Sequence, residues 1–285
     1  MANSSPCGAR APCEDCGSSD SVQVFINEDV DLGIEWFSSF CFGKCYSQKG
    51  DPYMGKTAPK VIVKTEAELK EEVDTITSCK PFTVSEPYRG IPPKFYKGWG
   101  CRTLLSEFDG KTPYAIAFPY SDYGQLSGWK ARPFRKKTFW TLGKTKNVDV
   151  FGLIRALRIG GDTLWVTEGE FDTIALNYCL TLAGPLTKYP VVSLTMGGGS
   201  IEQNIKYIET RVRHKFKYKC FVLDKDDVGI KAEETVKNLW PESIIIGKPG
   251  KAKDANNAVE LNLAQEMGEL ALNFKKITCK TDQKK

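Results

Sequence analysis

Asp162-Thr-Leu-Trp-Val-Thr-Glu-Gly-Glu-Phe-Asp172 decides how the C-terminal half of this chain folds. Thr163–Thr167 reads as a strand and Phe171–Leu182 as a helix, with acids and a glycine between them. Outward from this stretch the alternation repeats. Val191–Thr195 is a strand, the Gly197-Gly198-Gly199 turn leads into a helix from Ile201 to Arg213, Lys219–Leu223 is a strand, Val228–Trp240 a helix and Ser243–Gly247 a strand. Strands alternating with helices imply a parallel sheet with helices packed on its faces. Ligands of such sheets bind beyond the carboxyl ends of the strands, where Glu168 and Asp224 fall.

Three acidic clusters occupy this half: Thr167 to Asp172, Leu223 to Asp227 and Lys253 to Asn256. Carboxylates brought close together raise each other's pKa, so several delivered from successive strand ends point to divalent metal and phosphoryl-transfer chemistry. Acids at helix starts also cap free amides. Asp226 and Asp227 beside Asp224 are more acids than capping requires.

Composition narrows the classes. The chain has 285 residues, 41% hydrophobic and 26% charged, as in an ordinary globular protein. A net charge of +5 suits a polyanionic partner. There is no signal-peptide pattern and no apolar run of membrane-span length, so a cytoplasmic protein without membrane association is expected. His214 is the only histidine and lies in the basic run Arg-Val-Arg-His-Lys, which argues against histidine-based hydrolase triads and His-rich zinc hydrolase sites.

The ten cysteines, in a chain this long without a signal, do not read as a disulfide framework. Cys13-Glu-Asp-Cys16 and Cys41-Phe-Gly-Lys-Cys45 are instead two closely spaced pairs, read as a four-cysteine zinc ribbon over residues 1–50, with Cys7 an alternative ligand. Residues 51–80 read as a linker that carries a capped helix from Thr65 to Thr77. Within it Gly50-Asp-Pro-Tyr-Met-Gly-Lys-Thr57 satisfies the P-loop pattern, but it lacks the preceding strand, and Pro59 interrupts the following helix.

Residues 81–160 read as an α+β region of short strands, followed by the parallel-sheet region 161–262 and a C-terminal extension or tail, 263–285. From Trp129 to Lys146 there are seven cations, Lys130, Arg132, Arg135, Lys136, Lys137, Lys144 and Lys146, and no acid. Trp129, Phe134, Phe139 and Trp140 are interleaved with them. Cations neutralise phosphates and aromatic faces stack on bases, so Lys130, Arg132, Lys136 and Lys137 are candidate nucleotide- or nucleic-acid-binding residues.

In this order the parts resemble the primase half of the phage primase–helicase proteins. Trp165-Val-Thr-Glu-Gly-Glu-Phe-Asp172 and Phe221-Val-Leu-Asp-Lys-Asp226 look like the TOPRIM fold shared by topoisomerases and primases. Asp15-Cys-Gly-Ser-Ser-Asp20 resembles the family's zinc-ribbon segment. Trp129-Lys-Ala-Arg132, Tyr189-Pro-Val-Val-Ser-Leu194 and Lys253-Asp-Ala-Asn256 are similar to further family motifs. The Cys41–Cys45 gap is longer by one than the family's, and Asn257 stands where the family often has glutamate.

The resemblance implies a DNA primase, a nucleotidyltransferase that makes short RNA primers on single-stranded DNA from ribonucleoside triphosphates. It implies Glu168 as catalytic glutamate, acting as base or metal contact, and Asp224 and Asp226 as magnesium ligands, with Asp172 and Asp254 at further acidic positions. Glu170 and Asp227 are expected bystanders. A replicative helicase and a DNA polymerase are the expected partners. The chain stops at Lys285 without room for a helicase motor, so a stand-alone primase or a helicase on a separate polypeptide is expected. A metal-dependent nuclease on the same fold, or a non-catalytic zinc-ribbon DNA-binding protein, would share many of these features.

Overall fold

The computed structural model describes residues 2–13, 17–19, 21–29, 34–42, 47–49, 64–106, 108–136, 138–194, 201–212 and 215–274. The chain divides into two compact units, Met1–Val63 and Lys64–Lys285. Cys16, Cys45, Lys137, His214, the P-loop-like stretch, the Gly197–Gly199 turn and the 275–285 tail lie outside the described residues.

The first unit is an antiparallel sheet, β1 (Ala2–Ala11), β2 (Val22–Asp29), β3 (Ile34–Cys41) and β4 (Ser47–Lys49), paired in chain order. The apolar and aromatic residues of Val22–Ile26 lie on β2 and those of Ile34–Cys41 on β3, and the two strands pair in register from Val22↔Cys41 to Asp29↔Ile34. β1 has few β-forming residues and pairs along β2 all the same, because an edge strand takes its order from the ladder more than from propensity. Cys13, Val22 and Cys41 form one small buried cluster.

In the second unit, α1 (Glu66–Ser78) begins with a capping box. The Glu68 amide donates to Thr65 Oγ1 at 3.3 Å, and the Thr65 amide to Glu68 Oε2 at 2.7 Å. α1 lies on the antiparallel sheet β5 (Arg102–Leu105), β6 (Pro113–Asp122), β7 (Gln125–Pro133) and β8 (Trp140–Gly143), again in chain order. Val73 and Ile76 bury against Leu104, Ala115, Ala117, Trp129 and Ala131, and Trp129 Nε1 donates to Val73 O at 3.3 Å. Residues 64–80 therefore belong to the second unit rather than to a linker running to residue 80, because the apolar stripe of α1 needs a sheet face to bury it.

Strand alternation gives this sheet a second covered face. Ala115 and Ala117 point to α1, whereas Ile116, Phe118 and Tyr120 enter the main core with Phe82, Tyr96 of α2 (Pro93–Gly98), Phe151 and Phe171.

The parallel sheet is built from β9 (Thr163–Thr167), β10 (Val191–Ser193), β11 (Tyr218–Val222) and β12 (Ile244–Ile245), in the order β10-β9-β11-β12. Leu164, Val166 and Phe221 pack toward α3 (Leu153–Ile159), α5 (Ile201–Val212) and α6 (Asp227–Leu239). Trp165, Cys220 and Val222 pack toward α4 (Glu170–Ala183), α7 (Ala255–Glu260) and α8 (Ala264–Leu272). β9 is buried along its whole length, as a central parallel strand must be.

The region expected as an extension or tail from residue 263 begins with α8, which packs on α4 so closely that a Cβ on Gly268 would stand 2.1 Å from Cys179 O. Among the described residues, no helix is long and apolar enough to cross a membrane.

Candidate active site

β9 and β11 are hydrogen-bonded neighbours with Thr167 opposite Val222, so both strands end at the same edge of the sheet. Glu168 follows β9 directly and Asp224 lies two residues beyond β11. Glu168 Oε1 accepts the Asp224 amide at 2.8 Å, which ties the two strand ends together. The Lys225 amide donates to Lys253 O at 2.9 Å and brings the segment before α7 to the same edge. There Asp254 caps α7, its Oδ1 accepting from the Asn257 amide at 2.5 Å. Asp172, in the first turn of α4, accepts the Asn256 amide at 3.1 Å and meets the Asp254 carboxyl. Asp226 Oδ1 takes the Gly229 amide at 2.9 Å, so this acid caps α6, and its charge still acts on Glu168 and Asp224.

The electrostatics are those of like charges held together. Asp224 is pushed up to about 7, first by burial and then by Glu168, Asp254 and Asp226, with Lys248 opposing. Glu168 is raised, first by burial, although the Asp224 amide pulls the other way. Asp172 is raised well above the carboxylate range by burial, Asp254 and Asp224. Lys248 donates to Leu223 O and is lowered mainly by burial, so the cluster has one partly desolvated cation beside it.

The donors are all carboxylate oxygens, which suits a hard divalent cation such as magnesium. Among the described residues, no three His, Cys, Asp or Glu side chains are grouped tightly enough to hold a metal ion as they stand. The chemical type of the donors fits the ion, and their shared field is what a bound cation would relieve. For zinc, Cys13 and Cys41 are buried together in one cluster, and their sulfurs are the donor type of a thiolate site. Cys16 and Cys45 are outside the described residues, as is the side chain of Cys7.

The basic stretch does not form a single track. Trp129 is core, and Lys130 and Arg132 alternate with it on β7, facing α4. Lys130 Nζ donates to both carboxylate oxygens of Glu170, at 2.9 and 3.2 Å, and Tyr120 donates to the same carboxylate. Glu170 is therefore a buried anchor between the two sheets. Its burial was hidden in the sequence by its place among site acids. Arg132 lies over the Phe171 ring at 5.3 Å, Lys144 pairs with Asp122 at 2.6 Å, and Lys136 is exposed. The sequence pattern also passed over Arg89 and Lys248. The position of Lys248 just beyond β12 was the available signal, by the same strand-end rule that located Glu168.

The chain is similar in sequence and in fold to phage-type primases. No family model matches the chain. It is 28% identical over 265 residues to the DNA helicase/primase of Enterobacteria phage T3, a match that covers 87% of this chain and 40% of that protein. The chain thus spans less than half the length of the curated relative it matches. Its fold is similar to that of the crystallised primase fragment of the bacteriophage T7 primase-helicase protein, with a TM-score of 0.57 and 23% identity over 92% of this chain and 98% of that one. A second similar structure holds the T7 lagging-strand DNA polymerase interacting with primase domains bound to an RNA/DNA hybrid and dTTP. There the TM-score is 0.52 and the identity 27%, over 65% of this chain and 88% of that one.

Proposed function

We propose that this chain is a DNA primase, joining ribonucleotides opposite single-stranded DNA into short RNA primers by nucleotidyl transfer. The observation that carries the reading is the edge of the parallel sheet, where Glu168 grips the Asp224 amide and shares its field with Asp226 and Asp254. The similarity to the phage T3 helicase/primase over most of the chain supports it.

Asp224 and Asp226, with Asp172 or Asp254, are the residues that would hold magnesium. The ion would supply Lewis-acid neutralisation of phosphate charge and activation of the attacking 3′-hydroxyl. Glu168, raised by burial, is suited to take the proton of that hydroxyl while its other oxygen keeps the Asp224 loop in place. Tyr120 and Glu170 fix the direction of Lys130 on β7, and Arg132 projects from the same face. These cations would steady the nucleotide phosphates or the template.

Zinc held by Cys13, Cys16, Cys41 and Cys45 would order the first unit, whose buried apolar cluster among the described residues is only three residues. That unit would read the template start sequence. A replicative helicase and a DNA polymerase are the partners proposed on the same grounds.

The test is primer synthesis by the purified chain on mixed single-stranded templates with ribonucleotides and Mg²⁺. Short RNA is expected, with none after Glu168→Gln. DNA degradation without nucleotides would replace the primase with a nuclease.

A further inference from the structure

A cavity of about 750 Å³ opens in the second unit, away from the carboxylates. Its walls come from the end of α2, the β6–β7 hairpin, α3 and the segment before β10. The strands of the parallel sheet share one direction, so the start of β10 marks the edge opposite to Glu168 and Asp224. The hairpin is likewise the end of β7 remote from Arg132.

Pro119, Leu126, Ile154 and Ile159 give the cavity apolar surface. Arg155, Arg158 and Lys188 are its charged residues, and no acid accompanies them among the described residues that line it. A largely apolar concavity with a few convergent charges is the usual form of a ligand site.

Arg155 sets what the cavity can hold. It is partly buried on α3, with its guanidinium 4.4 Å from the centre of the Trp99 ring. Nη1 donates to Tyr189 O at 3.1 Å, and among the described residues the guanidinium has no other acceptor and no carboxylate within 4.0 Å. Burial pulls its pKa down to about 10. Arg211, also partly buried, differs in meeting Asp149. A guanidinium drawn out of water without a counter-charge is costly, and a carboxylate bound beside Arg155 would relieve that cost.

The remaining wall narrows the anion. Trp99, Tyr120 and Phe151 are its aromatic side chains and all three are buried, Phe151 stacked on Trp99 at 5.1 Å. None leaves an open face for a nucleobase, which sequence-tolerant binding of single strands requires. What is offered is a planar fork that matches a carboxylate, two exposed flexible cations and aliphatic surface. These features complement an acidic peptide that also carries a large apolar side chain.

We infer that this cavity docks an acidic segment of a partner protein, one carboxylate meeting Arg155 and an apolar side chain packing against Leu126 and Ile154. Arg158 and Lys188 draw in the neighbouring acids of the segment. The site is separate from the catalytic edge, and the inference does not rest on the primase reading.

The test is fluorescence anisotropy of short labelled peptides with the full chain. Peptides combining Asp and Glu with Leu and Phe are compared with peptides combining the same acids with Ser, and an unlabelled single-stranded oligonucleotide serves as competitor. The acidic–apolar peptides should bind about tenfold more tightly than the acidic–serine ones. Arg155→Gln should weaken that binding about tenfold, and so should the double reversal Arg158→Glu with Lys188→Glu. The double reversal lies on exposed side chains and should leave the melting temperature unchanged, so it decides the matter if Arg155→Gln destabilises the chain through the lost Trp99 contact. Equal affinity for both kinds of peptide, or peptide binding that survives the double reversal, overturns the inference. An oligonucleotide that displaces the peptide, and is itself weakened by the double reversal, also overturns it and makes the cavity a nucleic-acid site.

Discussion

Two sets of partly or fully buried carboxylates lie within the second unit and are treated in opposite ways. Beneath the sheets, Asp149 accepts from Ser121 Oγ at 3.1 Å, the Gly124 amide at 2.9 Å, Tyr207 OH at 2.9 Å and Arg211 Nη1 at 2.5 Å. Glu170 is likewise met by Lys130 and Tyr120. Each of these acids joins the antiparallel sheet to a helix of the parallel one, and each has its charge answered. At the carboxyl edge, Glu168, Asp172, Asp224 and Asp254 chiefly face one another. Acids of the first kind hold the fold, and acids of the second kind hold a site that is electrostatically unfavourable until a cation enters it.

The largest expected effect breaks the site without breaking the fold. Asp224→Asn should abolish primer synthesis, read as RNA product on a gel, while the metal-free protein at pH 8 melts at a higher temperature than the parent. The converse comes next. Asp149→Asn leaves Arg211 facing an uncharged partner, and it should cost about 3 kcal/mol and lower the melting temperature on the order of 10 °C in calorimetry. The apparent Mg²⁺ requirement of the surviving activity should not move.

Glu170→Gln should be milder, costing about 2 kcal/mol through the weakened Lys130 bonds, again with an unchanged Mg²⁺ titration midpoint. If that midpoint shifts severalfold, Glu170 belongs with the site acids and not with the acids that hold the fold.

The smallest effect is on pH dependence. Asp224 has a folded value of about 7, above its unfolded value of about 3.9, so the folded state binds this proton more tightly. The stability it contributes is fully present below the unfolded value and is lost as pH rises through about 7. Glu168 and Asp172 are shifted in the same direction. The melting temperature of metal-free protein should therefore fall between pH 5 and pH 8, less steeply in Asp224→Asn and less steeply with Mg²⁺ present. A flat profile in the parent chain would remove the electrostatic half of the comparison.

Much of the parallel sheet could be read from the residues, because β9 and β11 are short apolar runs ended by acids and glycine, and period and punctuation are local properties. Neighbouring strand ends follow from that topology, which is why the sequence alone places Glu168 and Asp224 at one edge. β1 was not legible, since nothing in Ala2–Ala11 favours a strand apart from the partner it finds. The basic stretch misled in part, because charge counts along a chain do not reveal that Lys130 and Lys144 turn to carboxylates remote in sequence.

By itself, then, the sequence determined the alternation of elements, the edge at which chemistry belongs and the acids delivered there, all consequences of local spacing. Only the tertiary structure decided which acids are answered by cations and which by one another. Burial and like-charge contact arise between segments distant in the chain, and the field at a carboxylate is the sum of what those segments bring.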